Sequence, residues 1–374
     1  MIGQIKLTSA TDEFFDGTNW TSNYKTLYTY DTNGNLLTEE YVFKSNLSID
    51  VWVTSSKTIN TYNANNKMIE QVYEDWDTST NTISYSFKTV YNYNAQNNLI
   101  ELIDYDLENS QWVADSKLIL SYNSVNQITT GIYYIWNGSN FVLDTDYSDK
   151  TTLNYNSDNQ LYNIVIETWD GSAWIMDSKT DNTFSDGKLV QAITSTYNGT
   201  SWVNDYKIDY TYDSNDNKLS EIYSELNNGV WESYYQDTFV YDTTKLLSDF
   251  IHPFKDKTGI EYLFEGNFPY NNKLVSSSYS DNSRIIYNYG EATASTKETV
   301  LLDFEVYPNP ATSLLTIKDH NFTIKKIELY NVLGKKVLNT TENKINVAPL
   351  VSGVYLMKIE SEEGNFATKR IVKK

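Results

Sequence analysis

The chain has 374 residues and no cysteine. That excludes disulfide staples, thiolate metal sites, a cysteine nucleophile and a lipid-anchored N-terminal cysteine. Proline is scarce too. The five are Pro253, Pro269, Pro308, Pro310 and Pro349, so none precedes residue 253. Proline cannot donate to a sheet ladder, and so long a run without it suits a continuous antiparallel sheet. Histidine is limited to His252 and His320, too few for a histidine-rich zinc site. A Ser-His-Asp triad would have to use His252, in the turn-like Ile251-His252-Pro253-Phe254, and a structural role is the preferred reading. There is no apolar run long enough to span a bilayer and no phosphate-binding glycine-rich loop.

Aromatic residues are abundant, with 32 Tyr and 9 Trp, and hydrophobic residues make up 40%. Such composition favours strands, because flat and β-branched side chains fit a pleated, half-buried surface. The net charge of −20 is unevenly spread. From Leu301 onward 11 Lys and Arg face 8 Asp and Glu, giving +3, which leaves −23 for the remainder. A body this acidic repels phosphate backbones and excludes nucleic acid as a partner. The change of sign also marks a domain boundary near residue 300.

The body repeats. A lysine followed five residues later by an aromatic recurs as Lys25/Tyr30, Lys57/Tyr62, Lys88/Tyr93, Lys117/Tyr122, Lys150/Tyr155, Lys179/Phe184 and Lys207/Tyr212, then Gln236/Tyr241. Successive anchors lie 28 to 33 residues apart. Five residues before most anchors stands a tryptophan: Trp20, Trp52, Trp112, Trp174, Trp202 or Trp231. Asn/Asp-rich turns follow each aromatic, as in Asp31-Thr32-Asn33-Gly34-Asn35. Asn-Gly or Asp-Gly turns precede many of the tryptophans, as in Asn198-Gly199. These residues supply positive φ cheaply, so each unit reads as two strands of roughly ten residues. Strict alternation in the seventh unit puts Trp202, Tyr206, Ile208, Tyr210 and Tyr212 on one face and Lys207 on the other. The return strands carry apolar residues on both faces, which predicts a spiralling meander with a filled concave side.

The expected fold is all-β: an antiparallel β-hairpin repeat meander or spiral over 1–250, an atypical capping repeat over 251–290, a linker over 291–300 and a small β-sandwich over 301–374. The first unit, Tyr30-Asp31-Thr32-Asn33-Gly34-Asn35-Leu36, resembles a YD repeat of the RHS kind. That family forms spirals of β-hairpins that sometimes close into a shell, so the resemblance implies architecture and not activity.

The C-terminal segment carries four ordered blocks: Val306-Tyr307-Pro308-Asn309-Pro310, Leu329-Tyr330-Asn331-Val332-Leu333-Gly334, Ser352-Gly353-Val354-Tyr355 and Lys369 to Lys374. Together they resemble the type A C-terminal sorting domain of type IX secretion cargo, a system of Bacteroidetes-type bacteria. The resemblance implies roles in sorting for Tyr307, Pro308, Asn309, Pro310, Gly334, Gly353, Tyr355, Lys369, Lys373 and Lys374. It implies an outer-membrane translocon, a shuttle barrel and a sortase-like peptidase as partners, and release or surface anchoring after periplasmic export. The start, Met1 to Leu7, lacks the apolar run of a secretory signal, so a truncated or mature N-terminus is expected.

Three chemistries compete for the body. Carboxylates are plentiful, so a polysaccharide hydrolase or lyase is one alternative. Asp115, Asp177, Asp205 and Glu232 recur before the anchors, however, and Glu70, Glu101 and Glu221 recur after the turns. Recurrence favours cross-strand pairing with the lysine column. The Asx-rich turns hold oxygens at alternate positions, a loose calcium pattern without the bidentate Glu, and ordinary Asx turns explain them. No other cofactor is implied. Tyr and Trp stripes serve as core or stack on sugar rings. Those near turns, Trp76, Trp136 and Trp169, are the binding candidates. The preferred reading is a non-catalytic secreted or surface binding module for a glycan or protein. The third alternative is a structural shell or spacer.

Overall fold

The computed structural model describes residues 5–44, 52–80, 82–261, 270–290, 304–319, 323–331, 336–361 and 366–374, the last segment by backbone alone over 366–368. It divides into two compact units, Met1–Glu291 and Ala292–Lys374.

The first unit is an all-antiparallel sheet. Its strands are β1 (Lys6–Phe15), β2 (Trp20–Tyr30), β3 (Leu36–Lys44), β4 (Trp52–Tyr62), β5 (Met68–Asp77), β6 (Thr82–Tyr93), β7 (Leu99–Glu108), β8 (Gln111–Tyr122) and β9 (Ile128–Trp136). They continue as β10 (Phe141–Val142), β11 (Asp149–Tyr155), β12 (Leu161–Trp169), β13 (Trp174–Ser185), β14 (Lys188–Tyr197), β15 (Trp202–Tyr212), β16 (Lys218–Asn227), β17 (Val230–Leu246), β18 (Asn272–Ser280) and β19 (Ser283–Gly290). Each pairs with its neighbours in sequence, except that β10 only extends β9 and β11 pairs with β9 directly. The ring closes where β1 pairs with β19, Lys6 opposite Gly290 and Phe14 opposite Ser283. With β10 set aside, eighteen of the nineteen strands form a barrel. A barrel of this strand number encloses more space than side chains alone fill.

Asx turns cap one rim. In each, one side-chain oxygen accepts from the backbone N–H groups two and four residues on: Asp31 from Asn33 and Asn35, Asn94 from Gln96 and Asn98, Asp213 from Asn215 and Asn217. The fourth residue takes positive φ, as Asn66 does at 58° and Asn97 at 61°. Its side chain then accepts from the turn before: Asn33 and Asn35 donate to Asn66, Asn65 to Asn97, Asn98 to Asn126 and Gln127 to Asn159. The asparagines thus form a ladder around the rim.

Just below that rim the anchor tyrosines tie each unit to the one before. Tyr30, Tyr62, Tyr93, Tyr122, Tyr212 and Tyr241 donate to the backbone oxygens of Leu7, Leu36, Met68, Leu99, Leu189 and Lys218 at 2.6–2.9 Å. Phe184 has no hydroxyl. In its unit Asn182 Nδ2 takes over the donation, reaching the Leu161 oxygen at 2.9 Å.

The alternation expected of the seventh unit is corrected by a β-bulge. Tyr206 faces Thr194 while Asn204 faces Ser195, so Asp205 has no residue opposite it and the sense of alternation reverses. An extra residue of this kind shifts every side chain beyond it to the other face. Lys207 therefore shares a face with Trp202, and the tyrosines lie opposite. The same shift leaves out Asn23, Ser55, Asp115 and Asp177. Of the acids that recur before the anchors, Asp115, Asp177 and Asp205 are bulge residues, whereas Glu232 pairs in register with Glu225.

Inner and outer faces are distinguished by the segment after β17. A 3-10 turn (Leu247–Asp249) leads to Ile251, whose N–H and C=O bond Ile5 and Leu7. Phe254 then meets Tyr270 and Tyr287, the Lys257 oxygen accepts from Met68, and Ile260 packs with Leu99, Leu120, Ile128 and Leu153. Six residues from Phe254 to Ile260 reach at most about 20 Å. Around the wall, β19 and β7 are seven strand spacings apart, roughly 33 Å. The segment must cross the lumen, so the tyrosine face it touches is the inner one. The lumen is plugged at this point and open beside it.

Outside, lysines alternate with tryptophans. The Nζ of Lys25 lies 3.8 Å from the Trp52 ring centre, and Lys150, Lys179 and Lys207 lie 5.5–5.6 Å from Trp174, Trp202 and Trp231. Arg284 of β19 sits 4.0 Å over Trp20 and carries the series across the seam. The acids pair on the same face: Lys88 with Glu70 at 3.6 Å, Lys117 with Glu101 at 3.4 Å, Lys150 with Glu167 and Lys207 with Asp209.

The second unit has a three-stranded sheet of β20 (Phe304–Tyr307), β21 (Leu314–Asp319) and β24 (Lys344–Asn346). A four-stranded sheet of β23 (Lys336–Thr340), β22 (Ile324–Asn331), β25 (Gly353–Ser361) and β26 (Phe366–Lys373) completes it. Their apolar faces share one buried cluster that includes Leu315, Ile317, Ile327, Leu329, Met357, Ile359 and Ile371. The expected all-β architecture holds in both units.

Candidate functional site

The inner wall differs from one arc to another. On β11–β15 it holds a concavity of about 660 Å³ beside the plug and the Asx rim. Tyr155, Phe184, Tyr206 and Tyr210 supply rings; Thr180, Asn182, Thr194, Gln127, Asn159 and Gln160 supply amides and hydroxyls. Every lining side chain is uncharged, in a body that carries −23. The strand pairing explains this. Asp181 and Asp209 turn outward to Lys179 and Lys207, while the alternate positions Thr180, Asn182, Ile208 and Tyr210 turn inward.

Hydrogen bonds fix several lining groups in place. Thr180 and Thr194 hydroxyls lie 2.9 Å apart, Gln160 Oε1 accepts from Asn156 at 2.9 Å, and Asn182 is held by the Leu161 oxygen. Tyr206 is 38% exposed and stands at the open side. Burial, and then the Glu221 carboxylate, push the Tyr210 hydroxyl above its ordinary value, so it remains a protonated donor.

Carboxylates occupy the flanking arcs. Burial raises Asp12, Asp104, Asp149 and Asp237 above the usual range. Asp104 accepts from Thr89 at 2.5 Å and Ser116 at 3.0 Å; Asp237 accepts from Tyr235 at 2.8 Å. They stand on separate staves, each of these two with its own hydroxyl partners.

The tryptophan candidates lie elsewhere. Trp76, Trp136 and Trp169 are on the outer face at the hairpin rim opposite the Asx turns. Trp136 packs against Phe141 at 5.0 Å and Trp169 edge-on against Trp174 at 5.3 Å; the Trp76 indole nitrogen is buried without a hydrogen-bond partner. They belong to three different hairpins. His252 is buried in the plug, stacked 5.6 Å from Phe254; burial and then Lys255 lower its pKa to about 4, so it is neutral. Among the described residues no three His, Asp or Glu side chains gather as a metal site. The Asx oxygens that a calcium ion would need accept backbone N–H groups instead. The inner arc escaped the sequence reading because the bulges conceal which residues share a face.

In the second unit the Tyr307–Pro308 and Asn309–Pro310 peptides are cis. Asn309 donates to the Arg370 oxygen and accepts from the Val372 N–H, both at 2.8 Å, which fastens the Pro308-Pro310 segment to β26. Tyr355 is buried and donates to the Val351 oxygen. Gly353 opens β25, and Lys369 reaches the Phe304 oxygen at 3.0 Å. The Lys373 Nζ donates to the Lys374 oxygen, while the Lys374 N–H donates to Ala311. Gly334, His320 and the 291–300 linker lie outside the described residues. Residues 305–374 match the model of the secretion system C-terminal sorting domain. The C-terminal unit is such a sorting domain. The type IX resemblance holds, and the chain is cargo exported to the cell surface or the extracellular space.

Ulvan lyase NLR42 of Nonlabens ulvanivorans is 29% identical over 115 residues, 29% of this chain. The chain thus spans 22% of that enzyme's length. Among solved structures, a porin-like protein from Bacteroides uniformis is similar with a TM-score of 0.36 and 12% identity, over 62% of this chain and 94% of that one. TcdB2-TccC3 gives 0.33 and 9%, over 75% of this chain and 14% of that one. No helix among the described residues is long and apolar enough to cross a membrane.

Proposed function

We propose that the barrel is a non-catalytic glycan-binding module, which the sorting domain delivers outside the cell. The observation that carries this is the uncharged concavity on β11–β15. Ring faces at Tyr155, Phe184, Tyr206 and Tyr210 offer flat apolar surface to the C–H faces of sugars, and the amides and hydroxyls between them suit sugar hydroxyls. Its volume, about 660 Å³, fits a short oligosaccharide. A protein partner would instead want an exposed, protruding or flat surface with a desolvated centre. The charge pairs on the outer face, such as Lys117–Glu101, favour a barrel that stands in water, because a lipid-facing barrel needs an apolar outer band there.

The test is binding of the purified chain to immobilised polysaccharides, with reducing-end release followed on the same substrates. Tyr206→Ala should abolish retention, and Trp136→Ala and Trp169→Ala should keep it. Retention lost only in the tryptophan variants would move the site to the outer rim. Release of reducing ends would replace binding with hydrolysis.

A further inference from the structure

Resting on that reading, we infer that the ligand is an uncharged saccharide, and that the barrel rejects uronate-bearing or sulfated chains. Charge is distributed unevenly over the inner wall. Round the wall from β15, one flank holds Glu221 on β16, Asp237 on β17 and, farther off, Asp12 on β1; the other holds Asp104 on β7, and Asp149 lies toward the far rim of β11. Glu221 is the flanking acid nearest the site: its backbone pairs with Tyr210, a lining residue. Lys218 answers Glu221 directly with an ion pair, so that lysine is committed and does not offer an anion a partner. The other lysines of this arc are paired as well: Lys150, Lys179 and Lys207 point outward to Glu167, Asp181 and Asp209, and Lys188, at the Asx rim, is bound to Asp216.

An anion entering the concavity would find no cation among the lining groups and a net negative body around it. Asp237 stands in register with Tyr210 through Glu221, two strand spacings or roughly 10 Å away, so it lies about one Debye length off and would repel the anion; the farther carboxylates add a screened remainder. Desolvating a sulfate or carboxylate without a counter-charge adds further cost. A neutral sugar meets neither penalty, since ring faces and neutral donors and acceptors are all that it uses. Its affinity should therefore be insensitive to salt, whereas any residual anion binding should rise as salt screens the repulsion.

The experiment is calorimetric titration of the full chain at 0.05 and 0.5 M NaCl. The probes are neutral cello-, laminari-, manno- and xylo-oligosaccharides, with oligogalacturonate and a sulfated galactan oligosaccharide as the anionic set. The expected result is binding of at least one neutral probe, with affinity unchanged within twofold between the two salt concentrations. Tyr206→Ala should weaken it at least tenfold with an unchanged melting temperature, because that ring is partly exposed. Thr194→Lys, which sets a cation in the site, should bring in binding of an anionic probe. Tighter binding of an anionic probe by the unaltered chain would overturn this inference and leave the glycan reading standing. Binding to no probe in either set would overturn both.

Discussion

The two units hold themselves together in different ways. Among the described residues, the sorting domain buries thirteen in one cluster, with Leu315, Ile327, Leu329, Met357 and Ile359 fully enclosed. The barrel is far longer, yet among its described residues the cluster has five buried members, one of them supplied by the plug. Its cohesion comes from ring closure, tyrosine hydroxyls that reach backbone carbonyls, and the asparagine ladder along the rim. A small sandwich can shed water from one apolar centre, whereas a wide barrel has no centre to fill and must satisfy its wall locally.

The largest effect should come from separating the two. Deleting Leu302 to Lys374 is expected to abolish export and trap the barrel, still folded, in the periplasm; cell fractionation with circular dichroism of the trapped species reads both outcomes. Continued secretion would mean that the signal lies elsewhere. Within the second unit, Leu329→Ala should cost about 2–5 kcal/mol, because it leaves a cavity where relaxation is limited. Denaturant melts should show the loss in the sorting domain alone. A matching shift in the barrel would show that the units unfold together.

Acid should distinguish them further. Hydrogen bonds from Lys326 and Lys336 hold Glu328 at about 2, below its ordinary 4.5. Its contribution is therefore complete above pH 4.5 and lost as pH falls toward 2. His252, at about 4 against an ordinary 6.5, is folded as the neutral form. The unfolded chain takes up its proton first, so the barrel loses stability as pH falls from 6.5 to 4. His252→Gln should flatten the barrel's stability slope over that upper window. Glu328→Gln should flatten that of the sorting domain in the lower one. Unchanged slopes would remove these groups from the account.

Smaller effects test the wall. Tyr93→Phe removes the hydroxyl that donates to the Met68 oxygen and should cost about 1 kcal/mol. Tyr62→Phe should cost less, since Asn60 also donates to the Leu36 oxygen at 3.0 Å. Equal losses in thermal melts would contradict the shared-acceptor account. Lys207→Ala should lose about 1 kcal/mol or less, as it removes one half-buried cation–π contact and one ion pair at the outer surface.

Much of the fold was legible in the sequence because its signals are local. The lysine–aromatic spacing marked the hairpins, Asn and Asp marked the turns, and the Pro308–Pro310 block with its successors marked the sorting domain. Three features were not legible. The bulges at Asp115, Asp177 and Asp205 reverse a strand without changing its composition, so Lys207 was expected opposite Trp202 and lies beside it. Ring closure depends on β1 meeting β19 across some 280 residues, which no local pattern encodes. The path of 247–261 across the lumen depends on a cavity that exists only once the ring has formed. The proposed site followed the same rule: Trp76, Trp136 and Trp169 are candidates visible as single rings in the sequence, whereas the neutral arc emerges only when five strands are laid side by side.

The seam has a topological consequence. Because Lys6 lies across from Gly290, the repeat domain is a circle that happens to be cut at one point. A short linker could join those ends, and any two-residue hairpin, such as Asn228-Gly229, could serve as the new start. A chain missing its first or last stave would instead present two bare edges, each ready to recruit a strand from another molecule.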